Sequence, residues 1–505
     1  MSLLESIWLA LFSRKQFRPS YATWQDHLLR SSPLCTLRVP RRWGEGAALS
    51  VLSAIVVICF LGIVMGATRS HALDQAELVS LIDAAARSKQ LQPVMACNGA
   101  TAFARPGLTI VNGVVSASET IAEIGGYAGA AGTTGGLGGR LLVVTTMEDY
   151  DPSHEQPISG SLRAHIDSAK RDKTPAWIVF SQALGSKARI ELKATLRLPS
   201  NMTIDGSCSD ITLEAPDHKN ITFAQIANGV GNVIITRLAM RKSGYVPELH
   251  SNSGSAIVVN GDFDRIAILH NDFSACGHSC LDVTVSPGKE IPVSARITVA
   301  YNYFRDHDKV MLFGTFDCPQ RVGLNTCDRA YFERHKHSAP GLYLTLEGNL
   351  FLGTGQRQPR VFGRASAHIL NNLVAFHPLV RADGQRQSTY GVFVSNGARA
   401  LVEENIFAPM GDKPSLRLAV WTVKTRGALQ MPADTEGFVR LGRNTLISGA
   451  LASEYMPAEV GRPEYKYIPL ILTGLPLEVA LACFEDRAGR AGSIAWDREK
   501  CSLER

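Results

Sequence analysis

One phrase recurs through the middle of the chain and constrains its fold more than any other feature. RIAILHNDF, RITVAYNYF, LYLTLEGNLF, AHILNNLVAF, ALVEENIF and FVRLGRNTL mostly run as a short β-rich stretch, an asparagine, and then a pair with at least one apolar residue. The asparagines are Asn271, Asn302, Asn349, Asn372, Asn405 and Asn444, and Arg237 in NVIITRLAM is expected to hold the same place one unit earlier. Spacings of 23 to 47 residues are too irregular for a propeller, but they suit solenoid coils that carry loops of different length on one side. An asparagine at a fixed corner can hydrogen-bond the coils above and below it, so buried turn backbone is not left unpaired. Asparagines marking ordinary turns of a sandwich are the competing reading, but six units with one signature favour the solenoid. The expected fold is all-β, a single right-handed parallel β-helix over residues 125–456.

The flanks read differently. Residues 73–90 have helical spacing and few breakers, which predicts a short helix in an N-terminal lead-in and cap over residues 73–124. Residues 457–505 lose the asparagine phrase and contain PLEVALACFEDRAG, a second helical candidate in a C-terminal cap pinned by Cys483 and Cys501. Long insertions such as residues 316–340 are expected to form loops over one face, where solenoids often bind ligands.

The formal charge of +6 suggests nucleic acid until it is located. Residues 1–46 carry seven Lys/Arg against three acids and Arg69 adds one more, leaving about +1 for everything from Leu73 onward. No nucleic-acid partner is expected from so even a balance, and no segment suggests a nucleotide, flavin or haem site. The basic region 1–46 precedes AALSVLSAIVVICFLGIVMG, residues 47–66, without one charge. That segment is long enough to span a bilayer. It reads either as the core of a signal peptide cut near Ser70-His71-Ala72 or as an uncut transmembrane anchor. The bulk of the chain is then secreted, periplasmic, or membrane-anchored outside the cytoplasm. Eight of the ten cysteines lie beyond residue 66, an even number that suits disulfides in an oxidising compartment. Proximity favours Cys318/Cys327 and Cys483/Cys501 as bridges. Cys276 and Cys280 are also close, but their spacing without a second pair is a poor zinc signature.

In RDHDKVMLFGTFD, residues 305–317, the polar run Asp306-His307-Asp308-Lys309 passes without a turn residue into the apolar stretch from Val310 to Phe313. Either this is an ordinary strand end with a snorkelling lysine, or a cation is held rigidly at the edge of a site.

GGYAGAAGTTGGLGG, VTTMED, GSLRAHID, PAWIVF and LPSNMTIDG follow one another between Gly125 and Gly206 in an order that resembles the opening of the pectate lyase family, polysaccharide lyase family 1. CGHSCLDVT, HDKVMLFG and QRQPRVFGRASAHILNN resemble its three most characteristic segments, and the likeness covers about residues 125–407. The resemblance implies β-elimination of polygalacturonate: a base removes the C5 proton α to the uronate carboxylate and the C4 glycosidic oxygen leaves. The carboxylate opposes the developing carbanion, so cations must face it. Lys309 looks like the family's lysine at the scissile bond and Arg357 like the arginine proposed as base. Arg360 and Arg364 would be carboxylate clamps, since a guanidinium fork suits a uronate. His307 is a further substrate-binding candidate and, with Asp308, a more conventional proton carrier than arginine, although neither matches the family's base. The partner implied is an acidic plant cell-wall polysaccharide, pectate or pectin, met by a monomer.

The pattern departs in two places. An arginine is expected five residues after the base, where this chain has Phe362, with Arg364 two further on; a local shift of the strand would be needed to bring Arg364 back. Calcium, the ion that the family holds with several acids, meets Ser253 and Ser255 at the first expected segment and His278 in place of an acid at the second, with only Asp282 kept as a metal-ligand candidate. The usual acid before His270 is also missing. Asp262 and Asp264 flank Phe263 and could substitute, though solvated acids are the plainer reading. Calcium recruited with substrate, calcium-independent action as in the related pectin lyases, and binding of acidic polysaccharide without catalysis all remain open.

Overall fold

The computed structural model describes residues 107–185, 187–227, 229–245, 253–285, 294–315, 340–376, 389–409, 417–422, 437–446, 451–452, 460, 462–465, 467 and 477–489. Residues 1–106, with the basic region, the 47–66 segment and the helix expected over 73–90, lie outside the described residues, as do Cys318, Cys327 and Cys501.

The chain folds as a right-handed parallel β-helix. Among the described residues three sheets of twelve, nine and eight strands run its length. One coil shows the plan: Tyr303–Lys309 in the nine-stranded sheet, Met311–Thr315 in the eight-stranded sheet, Leu342–Glu347 in the twelve-stranded sheet, and back to the nine-stranded sheet with Leu350–Gln356. Side chains alternate along each strand, so every second apolar residue enters the core, as Ile297, Leu344 and Ala367 do in successive coils of the twelve-stranded sheet. Phe273, Phe304 and Phe351 stack inside the nine-stranded sheet at 4.9 and 4.8 Å between ring centroids.

The asparagines form the expected ladder. Asn302 Oδ1 accepts from both the backbone N–H and the side-chain amide of Asn271, at 2.9 and 3.1 Å. The pattern repeats from Asn302 to Asn349, Asn372, Asn405 and Asn444. The residue before each rung from Asn271 to Asn405 takes a left-handed backbone: His270 (φ 54°), Tyr301 (59°), Gly348 (64°), Asn371 (53°) and Glu404 (54°). Arg237 (φ 59°) belongs to that preceding position. The expectation that it holds the rung is therefore corrected by one residue. Leu238 holds it, donating its N–H to Asn271 Oδ1 at 3.0 Å, and the ladder stops there because leucine has no amide to pass on.

The glycine-rich stretch has a physical cause. It carries the short helix α1, Gly126–Ala130, and lies across the outer face of the twelve-stranded sheet. Its N–H groups meet successive strands: Tyr127 on Thr345, Ala128 on Thr298, Gly135 on Asn232 and Gly136 on Thr203. A Cβ at Gly135 (φ 55°) would stand 2.1 Å from Thr203 Oγ1, so only glycine lets the backbone lie this close.

A second helix, α2 (Leu162–Asp172), starts at the side-chain cap of Ser161. A third, α3 (Leu477–Arg487), falls where the C-terminal helix is expected. The segment before α3 is fastened to the twelve-stranded sheet through His368, whose Nδ1 meets Tyr465 Oη at 2.6 Å and whose Nε2 meets Glu403 Oε1 at 2.9 Å. Cys276 and Cys280 are bridged, a pairing that proximity of the other cysteines did not favour. Cys208 and Cys483 each take part in a disulfide as well. No helix among the described residues is long and apolar enough to cross a membrane.

Candidate active site

The site is built at the corner where chain passes from the nine-stranded to the eight-stranded sheet. In one coil a single residue, Val310, separates the strand ending at Lys309 from the strand starting at Met311. In the next, Arg357 to Pro359 connect Gln356 to the strand Arg360–Phe362. Lys309 pairs with Gln356 in register. Val310 N donates to Gln356 O at 3.0 Å and Met311 N to Arg357 O at 2.8 Å. Lys309 and Arg357 thus stand at the same corner of adjacent coils, about 5 Å apart in backbone spacing. Arg357 is held in a left-handed conformation, φ 64°, and its half-buried side chain has Nε and Nη1 buried without a hydrogen bond.

In the polar run before Lys309, Asp306 is exposed while His307 and Asp308 are buried. Asp308 is 2% exposed and accepts two bonds from Gln356 Nε2 at 3.2 and 3.1 Å. His307 is 1% exposed. Its Nδ1 accepts from Cys276 N at 3.3 Å, and its ring lies 5.1 Å from that of Tyr245. Burial, then the nearby charges of His278 and Lys309, push its pKa down to about 3. A sealed imidazole cannot line a surface groove, so His307 lies beneath this corner rather than at its surface.

Arg360 projects over an aromatic floor, its guanidinium 5.2 Å from the ring of Phe393 and 5.7 Å from that of Phe362. Phe393 in turn stacks on Trp421 at 4.0 Å. The sequence reading did not pick out this floor. The alternation in TYGVFVS and RLAVWT could have signalled it, but only the register Arg360↔Phe393↔Trp421 shows which residues meet. Phe362 takes the outward place expected of an arginine, and no register shift interrupts the pairing of Arg360–Phe362 with Leu312–Gly314. Arg364 lies beyond the strand, at the corner leading to the twelve-stranded sheet, where its N–H bonds Thr315 Oγ1 at 2.8 Å. The shift that would return it to the neighbourhood of Arg357 does not occur.

Asp282 stands on the neighbouring strand Leu281–Val285. Its Oδ2 accepts from Ser255 Oγ and faces His278 Nδ1 at 3.5 Å, while Oδ1 is buried without a partner. Burial raises the pKa of this carboxyl, but His278, Ser255 and Arg357 together outweigh it and hold the carboxyl below the usual range. Ser253 donates instead to Asp217, at 2.6 Å. One carboxylate, a hydroxyl already donating to it, and an imidazole do not make the six to eight oxygen ligands that calcium requires. The described residues therefore do not fit a calcium ion here. Asp264 does not repair the set: it is bound to Arg296 in the twelve-stranded sheet, with Arg296 Nε at 2.8 Å. His270 does find an acid, from far away in sequence, with Nε2 3.1 Å from Glu123 Oε2. Cys276, Cys280 and His307 cluster within 4.8 Å, but with the sulfurs bridged they offer no thiolate.

The pectate lyase family model matches residues 103–417. The chain belongs to the pectate lyase family. Among family members, pectate lyase 1 of Juniperus virginiana is 32% identical over 194 residues, 37% of this chain and 47% of that protein. Probable pectate lyase 13 of Arabidopsis thaliana is 29% identical over 247 residues, 48% of this chain and 40% of that protein. The chain thus spans about half the length of the curated relatives it matches. Jun a 1, the major allergen from cedar pollen, has a crystal structure that matches 73% of this chain and 92% of its own at 22% identity, TM-score 0.47. A pectate lyase from Bacillus sp. N165, solved with trigalacturonate, matches 72% and 98% at 19% identity, TM-score 0.45.

Proposed function

We propose that the chain is an exported polysaccharide lyase that cleaves polygalacturonate-type chains by β-elimination, releasing unsaturated oligogalacturonides. The observation that carries this reading is the placement of Lys309 beside Arg357, whose Nε and Nη1 donors the protein itself leaves unsatisfied. Buried N–H groups without partners are costly, and a uronate carboxylate would satisfy them. Arg357 would take the C5 proton, the C5–H electrons would become the C4=C5 double bond, and the C4–O bond would break with the leaving oxygen protonated by solvent. Guanidinium stays charged in nearly every setting, which makes proton uptake the most demanding step of this reading; Lys309 and Arg360 are the neighbouring cations. Those cations would offset the carboxylate as the carbanion develops.

The poor donor set around Asp282 favours a calcium-independent mode, in which methyl-esterified chains need less charge compensation than pectate does. A protein that only binds acidic polysaccharide would use the same cations. Absorbance of the unsaturated uronate separates these readings. Release from methylated pectin in chelator supports the calcium-independent lyase, and uronate binding with no absorbance change on any substrate supports the binding protein.

A further inference from the structure

A lysine buried inside the coil holds the backbone carbonyl of Ser253, two residues before the Ser255 that contacts Asp282. Lys242 lies in the strand Ala239–Ser243 on the same inward face as Met240 and is 2% exposed. Its Nζ donates to the carbonyl oxygens of Ile221, of Ser253 at 3.0 Å and of Lys219 at 3.5 Å. An ammonium has three N–H donors, one for each carbonyl. Nζ lies over the ring of Phe223, 5.3 Å from its centroid. Above it Gly277 (φ 88°) keeps the space clear, since a Cβ there would approach Lys242 Cε at 3.4 Å and Gly254 O at 2.3 Å.

The contacts lead directly to the candidate site. Ser253, whose carbonyl Lys242 holds, is followed by Gly254, whose carbonyl accepts from His278 N at 2.9 Å. Ser255 then donates to Asp282. Gathering backbone oxygens from separate loops around one positive charge is what a structural cation does. Here the charge is carried by a side chain.

We propose that Lys242 is a tethered cation: its ammonium takes the structural place of a bound metal ion and positions the Ser253–Ser255 segment against His278 and Asp282, so that this corner needs no divalent ion. Lys242 is a positioning residue and touches no substrate. Burial pulls its amine down to about 8, with Asp217 opposing the shift, which leaves it charged at neutral pH.

The proposal rests in part on the lyase reading, so its test uses a signal that needs no catalysis. Thermal unfolding of the full-length protein is followed in excess chelator and in added calcium, for wild type, Lys242→Met and Lys242→Ala. The expected result is a wild-type melting temperature indifferent to calcium, a Lys242→Met protein that melts several degrees lower, and a Lys242→Ala protein that methylammonium stabilises although it leaves wild type unchanged. A wild-type melting temperature raised by calcium overturns the proposal, even where the variants fail to fold. So does a Lys242→Met protein as stable as wild type. If the lyase reading alone is wrong, these melting results stand with no elimination product from any form.

Discussion

Met311 donates its backbone N–H to the carbonyl of Arg357 at 2.8 Å, one coil away. That bond ties the chain just beyond Lys309 to the arginine itself, so the two cations share one piece of sheet hydrogen bonding. A loop would hold long cationic side chains at a larger entropic cost. The sheet corner fixes both backbones before any anion arrives.

The asparagine ladder should be strongest in its middle. Asn349 donates to two carbonyls and to Asn372, and accepts twice from Asn302. Asn349→Ala leaves those buried groups unpaired and is expected to destabilise the protein by about 2–4 kcal/mol, measured by urea unfolding. Asn444→Ala, at the partly exposed end of the ladder, should cost clearly less.

Acid should weaken the fold through His307. Its folded pKa is pushed down to about 3 from an ordinary 6.5, so between those values the unfolded chain binds a proton that the folded chain refuses. Stability is therefore complete above about pH 6.5 and falls as pH is lowered toward 3, with His307 adding about 1.4 kcal/mol per pH unit to the slope. Urea unfolding across that window should give a shallower dependence for His307→Asn.

Arg360 is expected to act mainly on binding. Arg360→Met keeps the stem over Phe393 but removes the charge, and should raise KM for a uronate polymer by about tenfold with a smaller fall in kcat, as expected for loss of a ground-state contact. Arg360→Lys should recover only part, because an ammonium lacks the fork and the flat face that stacks on an aromatic ring. Initial rates over a range of polymer concentrations separate the two effects.

The glycine-rich strap should tolerate no side chain at Gly135. Gly135→Ala meets Thr203 Oγ1 in a left-handed conformation and should lower the melting temperature by several degrees. Gly138→Ala, with nothing within 4 Å but also left-handed, isolates the backbone cost and should lower it less.

Much of this fold could be read from the chain because the repeat carries its own physics. Each asparagine rung and its β-rich run announce a coil, and Lys309 and Arg357 fall at matching corners of adjacent coils. The misreading of Arg237 arose because the rung was recognised by spacing, while the left-handed residue before it, rather than its side chain, sets the register. His307 and Asp308 look catalytic by composition, yet burial decides their roles, and burial depends on residues far away such as Cys276 and Gln356. The partners of His270 and Arg360 were hidden for the same reason: Glu123 and Phe393 are distant in sequence and meet them only through the stacking of coils. Lys242 carries no motif at all, because its three partners are backbone carbonyls.

The most direct test of the account is absorbance of the unsaturated uronate when the protein meets polygalacturonate or methylated pectin, with calcium and with chelator, for wild type and Arg357→Ala. The account predicts a rise with wild type on at least one substrate that persists in chelator and is lost, by at least about a hundredfold, in Arg357→Ala. No rise on either substrate from folded wild type, or a rise that Arg357→Ala retains, would contradict it.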